Sequence, residues 1–514
     1  MAFLMKNILR TISVKDFNIP GVMWIVVLLF FVKSLLLSFW ITPLWEVPDE
    51  SAHLAYIIHV SQGKGIPVLG EAIIQQEIIE NWYTKTEPPT NINWIAQHPP
   101  AYYVFGAIFY KIGAIFICNI ELLFKVPRLL TSLSAALALL VFYRILLEVA
   151  GCKTFSIITV TSISFIPMYS HMSSGVNHDA FLTLLSALAI LYWIKYLKYC
   201  SFKDALIMAI WLSIAGATKI TALAFAGPMV AITFFYVKGP TYPNRLYKWI
   251  FIGAISGLLP GLWMIRNWIL FNNPLMDITQ FDKMNSTEIL NVGIVEYLKS
   301  NEVIHHTFIN FFGMFGWTGI GEGQVVLYQI SGIYLKIFSI SLLAIVFLST
   351  IWYFNYLNRI RLGNTLRFCI LVSIILAVVL IYFSVFVNKI YPIENRLLYT
   401  LLIGSILFSL TLPLNGQGSK HTNIIFYSCF IILMFLIAYI YSIKGLYEIY
   451  HVMRATHGRY WFPLIPFLVI AYIYPFYREF SPSKWIQMSI ILLFSSLELL
   501  FYVTTVIPFY QGVF

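Results

Sequence analysis

Charge is scarce in this chain of 514 residues: Asp, Glu, Lys and Arg together make 11%, and only 22 of them are acidic. A soluble surface needs far more, so a water-soluble domain is excluded. Cysteine is scarce too. The five, Cys118, Cys152, Cys200, Cys369 and Cys429, are widely separated, form no C-x-x-C, and read as packing residues rather than a disulfide or zinc framework. No Walker loop, G-x-G-x-x-G, H-E-x-x-H or G-x-S-x-G occurs, which removes ATPase, dinucleotide-binding, zincin and hydrolase-elbow readings. Repeated halves are missing as well, which weakens an inverted-repeat transporter without excluding it.

What is present is apolar. Hydrophobic residues make 60% of the chain, in many runs near the length of a bilayer crossing, so the fold class is an all-α polytopic membrane protein. The net charge of +11 does not point to nucleic acid, because Lys and Arg are dispersed in short connectors, where they set topology and meet anionic lipid. Lys6, Arg10 and Lys15 precede an uncleaved first span and put the N-terminus in the cytoplasm. If the segment from His98 to Asn119 stays outside as a juxtamembrane helix, the later basic connectors, such as Lys195, Lys198 and Lys203, all fall inside. That choice predicts thirteen spans within one domain, 1–514: 20–43, 127–149, 154–172, 179–199, 204–219, 221–237, 248–270, 332–355, 368–388, 396–413, 422–443, 458–475 and 485–508. Two large extracytoplasmic loops result, 44–126 with juxtamembrane helices and 271–331.

The stretch Trp45-Glu46-Val47-Pro48-Asp49-Glu50-Ser51-Ala52-His53 puts two adjacent carboxylates at a membrane boundary, which costs free energy unless they meet water, a partner or a ligand. Pro48 suits the first turn of a helix, and His53 then lies one turn beyond Asp49. Carboxylate and imidazole side by side suit proton transfer or ligand binding; the alternative is an interfacial helix cap. The outer face also receives Asn177-His178-Asp179, where Asp179 is a second carboxylate or an N-cap, and Thr218-Lys219, where Lys219 reaches a phosphate or snorkels. Arg266, Arg396 and the late His457-Gly458-Arg459-Tyr460 supply guanidinium groups suited to an anionic lipid headgroup. The run Phe311 to Trp317 is a glycine-aromatic segment or an interfacial anchor. Lys33, in mid-span, is structural or lines a pathway.

These motifs, P-D-E-S-A-H, H-P-P-A-Y-Y, N-H-D-A, T-K and R-Y-W-F-P-L-I-P in that order, resemble those of the GT-C superfamily of glycosyltransferases, which includes the protein O-mannosyltransferases and the lipid A aminoarabinose transferases. The chain is most similar to bacterial membrane proteins of that superfamily carrying P-D-E-x-x-H, F-x-x-F-G-W and a late G-R-Y. The resemblance implies that Asp49 matches the catalytic acidic residue, Glu50 its neighbour, and Asp179 the acidic residue at the outer end of the third span. His53 and His98 stand where relatives carry Arg or Lys near the donor phosphate. It further implies an inverting hexosyl or pentosyl transfer from a polyprenyl-phosphate sugar to a hydroxyl of a glycan, lipid or protein, on the extracytoplasmic face of a bacterial inner membrane. Lys219, Arg266, Arg396, Arg459, Tyr460 and the two histidines would bind the donor. A divalent metal at Asp49, Glu50 and Asp179 stays open, as do a flippase or transporter of lipid-linked glycans and a non-catalytic scaffold of the same fold.

Overall fold

The structure is a computed structural model and describes residues 19–81, 92–239, 241–285, 290, 292–293, 297, 307, 310–311, 420–450 and 457–511. It is helical: among the described residues the sole β feature is one isolated bridge between Ile73 and Ile92. Among the described residues, seven helices are long and apolar enough to cross a membrane: Gly21–Ile41, Ile120–Ala150, Asp179–Tyr199, Tyr242–Phe271, Asn423–Tyr450, Gly458–Arg478 and Lys484–Tyr510. The chain is an integral, multi-spanning membrane protein.

The expectation of thirteen spans is corrected. Three expected spans, 332–355, 368–388 and 396–413, lie outside the described residues. Three others are shorter or broken helices. The stretch 154–172 divides into Lys153–Ile163 and Pro167–Ser173, because Pro167 starts a new helix instead of continuing the old one. Phe202–Gly216 has 15 residues, about 22 Å, against a hydrocarbon core of about 30 Å. Its neighbour Ile220–Tyr236 carries Pro228 inside. Hydropathy registers apolar length and misses such breaks.

Asp179–Tyr199 is the central helix. It packs most extensively on Arg128–Ala150 and Phe202–Gly216, and its first turns meet the short helix Gly458–Leu464. Burial on nearly all sides explains why its apolar residues show no one-sided pattern. Gly21–Leu36 does the reverse, turning Trp24, Ile25, Leu28, Leu29 and Val32 outward as a lipid-facing helix does.

The 44–126 region carries Glu50–Ser61, Gln76–Glu80, Ala101–Phe116 and Ile120–Lys125. Ala101–Phe116, 16 residues long, is a separate helix packed on Glu50–Ser61. Its inner face is Tyr102, Tyr103, Gly106 and Ala107, while Val104, Phe105, Ile108, Ile112 and Ile115 form an exposed apolar stripe. Of the 271–331 region, Ile278–Asn285 is a short helix and most of the remainder lies outside the described residues. The cysteines among the described residues are unbridged; Cys429 is buried as expected, whereas Cys118 is exposed.

Candidate functional site

Four sequence-distant turns meet at one end of the central helix: 45–50, 172–179, 217–219 and 457–460. Two glycines permit the approach. A Cβ on Gly175 would stand 2.4 Å from Val47 Cβ, and one on Gly458 would stand 2.1 Å from the backbone nitrogen of Phe311. The third close contact is backbone: Ala101 N–H donates to Ala217 O at 3.0 Å, where Phe202–Gly216 has just ended.

Asp49 sits immediately before the helix Glu50–Ser61 in left-handed conformation, φ 64°. A non-glycine residue there is uncommon, and Asp tolerates it better than most. Its carboxylate makes no helix-capping bond. Instead Arg459 Nη2 donates to Oδ2 at 2.7 Å and Trp94 Nε1 donates to Oδ1 at 3.1 Å. The side chain keeps 24% exposure, whereas Arg459 keeps 3%. Burial by itself would raise its pKa, but the Arg459 guanidinium holds it well below the usual carboxylate range.

Asp179 begins the central helix, yet its side chain does not cap it either, since Asn177 Oδ1 accepts from Asp179 N at 3.1 Å. Lys219 Nζ donates to Asp179 Oδ1 at 2.9 Å and lies 4.1 Å from the Tyr460 ring centroid. Arg459 Nε is 3.3 Å from Asp179 Oδ2, in ion-pair range but not aligned as a hydrogen bond. Arg459 therefore bridges Asp49 and Asp179, and its Nη1 donates to Pro48 O at 3.3 Å. Two carboxylates and two cations form a closed, nearly buried network with one carboxylate open to approach.

Glu50 has a different place. It is fully buried against fully buried Arg128, whose Nε and Nη2 each donate at 2.7 Å. Val176 N and Trp45 N donate to the same carboxylate at 2.8 and 2.9 Å. Arg128 also donates to the carbonyls of Ser38, Thr42 and Pro43. With four donors on its two oxygens, Glu50 anchors the 42–50 turn and has no oxygen turned toward Asp49's partners.

The histidines line the network. His53 Nδ1 is 2.9 Å from Tyr103 Oη, and that oxygen is 3.0 Å from His178 Nδ1. The His98 ring lies 4.5 Å from the His178 ring, and Tyr56 Oη donates to His98 O at 3.3 Å. Burial lowers all of these imidazoles: His53 and His457 to about 3, and His98 and His178 well below their ordinary value, with Lys219 adding to the effect on the last two. They are neutral beside the two cations, so none supplies a standing positive charge.

The structure thus brings together Asp49, Asp179, His53, His98, Lys219, Arg459 and Tyr460. It does not bring Arg266, which donates to Pro67 O at 2.9 Å and stacks 4.6 Å over Trp263. Arg396 lies outside the described residues, and of the Phe311 to Trp317 run only Phe311 is described, packed 5.5 Å from Phe462. Sequence reasoning missed Arg128 as the partner of Glu50, and Trp94, His178 and Tyr103 as members. The last two stood inside the noted N-H-D and H-P-P-A-Y-Y motifs; an Arg after Pro127 and a loop Trp gave no signal.

Asp49, Glu50 and Asp179 do not make a divalent-metal site. Each is already paired with Arg or Lys, and among the described residues no three His, Cys, Asp or Glu side chains converge on a common point.

No family model and no curated protein matches the chain. Among solved structures, the crystal structure of ArnT from Cupriavidus metallidurans in the apo state is similar at 12% identity and a TM-score of 0.37, over 95% of this chain and 77% of that one. A likeness that loose does not assign the chain to a family.

Proposed function

We propose that the protein is a membrane glycosyltransferase that moves a sugar from a polyprenyl-phosphate donor to an acceptor hydroxyl at the extracytoplasmic face. The observation that carries this reading is the placement of one partly open carboxylate, Asp49, against the buried cations Arg459 and Lys219. Glycosyl transfer from a lipid phosphate needs a carboxylate to accept the hydroxyl proton and cations to receive the departing phosphate. It needs no strong acid, because the leaving group is a stable anion.

As a base, a carboxylate held low by Arg459 is weak. A donor phosphate competing for that guanidinium loosens the pair and raises the basicity of Asp49 as the donor binds. Arg459 Nε, buried without an aligned acceptor, is a donor available to such a phosphate. The order of P-D-E, N-H-D, T-K and G-R-Y motifs along the chain adds to the reading.

The gathering of these groups at one end of the central helix favours an enzyme over a transport pathway. Lys198, which pairs with Glu148 at 2.6 Å, lies near the other end, about 30 Å away along the helix. Lys33 in the first span and Glu498 in Lys484–Tyr510 are closed on each other at 2.8 Å.

The test is Asp49→Asn in cells, with lipid and envelope glycans analysed and membrane level checked by blot. Loss of a sugar-bearing product at normal protein level is expected, a drop of about 10²-fold or more. Unchanged product at unchanged level would sink the assignment.

A further inference from the structure

Two donors of different kinds hold the Asp49 carboxylate, one on each oxygen, and the difference carries an inference that rests on the glycosyl-transfer reading. Arg459 Nη2 donates to Oδ2 at 2.7 Å as a charged group, and Trp94 Nε1 donates to Oδ1 at 3.1 Å as a neutral one. Trp94 opens the short turn Trp94–Gln97, which is tied to the very helix that Asp49 precedes. Buried Asn93 does the tying: its N–H donates to Ala72 O at 2.8 Å, its Nδ2 donates to Ala52 O at 3.0 Å, and its Oδ1 accepts from Ile95 N at 2.9 Å. Ile95 and Ala96 are buried beside it. Indole and carboxylate, 45 residues apart, therefore stand on one frame, whereas Arg459 reaches Asp49 from the late 457–460 turn.

The two bonds answer differently to the events of transfer. A phosphate competes for a guanidinium through both charge and geometry, while a neutral N–H fixed by its frame offers it no charge. Arrival of the donor then frees Oδ2 and leaves Oδ1 bound. A guanidinium favours only the charged form of its partner, but a neutral N–H bonds the carbonyl oxygen of a carboxylic acid as well as an oxygen of a carboxylate. Trp94 can thus keep its bond before and after a proton arrives. With that tether in place the carboxyl group cannot turn about its Cβ–Cγ bond without breaking it, so its plane stays set.

We propose that Trp94 is the positioning residue that fixes the plane of the Asp49 carboxylate, so that Oδ2, the oxygen released by Arg459, takes the acceptor's proton. As the acceptor oxygen bonds to the anomeric carbon, its proton passes to Oδ2, the bond from that carbon to the phosphate oxygen breaks, and the electron pair leaves with the lipid phosphate. Atoms and charge balance without a co-reactant: the phosphate gains one negative charge and Asp49 loses one. When the lipid phosphate departs, Arg459 returns to Oδ2 and the proton goes to water through the open side of Asp49. Trp94 acts through Asp49, and what it supplies is orientation.

The wild-type chain reports the two bonds directly. In lipid bilayers, with ¹³C at the Asp carboxyl carbons and ¹⁵N in the Trp indoles and Arg guanidiniums, it is read by solid-state NMR with and without a sugar-free polyprenyl phosphate, and Asp49→Asn identifies the Asp49 signals. The cross-peak between Asp49 and an indole should persist when the lipid is added, while that between Asp49 and a guanidinium weakens. Loss of the first or an unchanged second overturns the proposal. Rate against pH is then measured for the purified chain, with the lipid extract of cells lacking the protein as donor source and their envelope fraction as acceptor. Trp94→Phe keeps a ring and removes the N–H. It should bind the polyprenyl phosphate as the wild type does and transfer sugar about tenfold more slowly at saturating donor. Its acid limb should move to higher pH by about half a unit or more, because Asp49 loses a bond that favours its charged form. A slow variant with an unmoved limb has a packing defect, and that outcome overturns the positioning role, as does a wild-type rate. Either leaves the transferase standing, whereas no transfer by the wild type overturns the transferase reading and Trp94's task with it.

Discussion

Arg459 and Asp49 are 410 residues apart in sequence and meet at 2.7 Å, one nearly buried and the other half open. The guanidinium also reaches Asp179, so a single side chain ties the first loop to the head of the central helix. Planar, forked donors suit that bridge and a lysine's point charge does not.

Acid should expose the consequence. Burial keeps His53 and His457 neutral down to about pH 3, while in the unfolded chain they titrate near 6.5. Below 6.5 the unfolded state therefore binds more protons than the folded one, and stability falls as the pH drops from about 6.5 toward 3. The depressed Asp49 acts in the same sense, its contribution present above the ordinary carboxylate range and lost below it. Thermal unfolding in detergent should show a midpoint that falls steadily from pH 7 to pH 4, with a shallower slope in His53→Gln and His457→Gln. A midpoint flat over that range contradicts the neutral-histidine assignment.

Adjacent carboxylates should answer differently to the same substitution. Glu50→Gln removes the charge that balances buried Arg128, and breaking one side of a buried pair costs about 3–5 kcal/mol. Little folded protein should reach the membrane. Asp49→Asn keeps the protein and loses product. Membrane levels of the two variants, compared on one blot, check this, and equal levels would remove Glu50 from its anchoring role.

Much of this was legible along the chain, and the limits have physical causes. Asp49, Asp179, Lys219 and Arg459 stood out because a charge at the edge of an apolar run is costly, and cost marks function. Arg266 stood out for the same reason and proved to face elsewhere, since a position at a helix end gives depth and not direction. Arg128 was invisible because its partner lies 78 residues away and a lone Arg near a span reads as a snorkelling side chain. The broken helix at Ser164 to Pro167 was hidden by continuous hydrophobicity.

The glycine of the late G-R-Y motif has a steric task. Its Cα faces the backbone of Asn310 and Phe311, and a methyl group there would meet it at 2.1 to 2.6 Å. Backbone cannot swing aside as a flexible side chain does, so Gly458→Ala must displace one strand of chain and with it Arg459. Loss of product with the protein still in the membrane, or loss of the protein itself, is expected. Wild-type product at wild-type level in Gly458→Ala would show that the two segments can part without disturbing Arg459.

Lys33 and Glu498 join the first spanning helix to the last, with Lys33 Nζ also donating to Ser164 O at 2.7 Å and Ser170 Oγ donating to Glu498 at 2.6 Å. Every strong group in this cluster is answered by another, which is the arrangement of a staple; a conducting site needs a partner that leaves. Lys33→Met leaves a carboxylate without its cation, and Glu498→Leu leaves an ammonium without its anion. Each should lower the unfolding midpoint in detergent and reduce membrane level. The double variant removes both charges and fills the space with apolar atoms, and such replacements are often neutral or stabilising. It should regain most of the stability lost in either single variant, and the non-additivity measures the pair. Product formation decides the role: a stable double variant that still makes product confirms the staple, while a stable one that makes none would give this pair a part in moving a proton or substrate across the membrane.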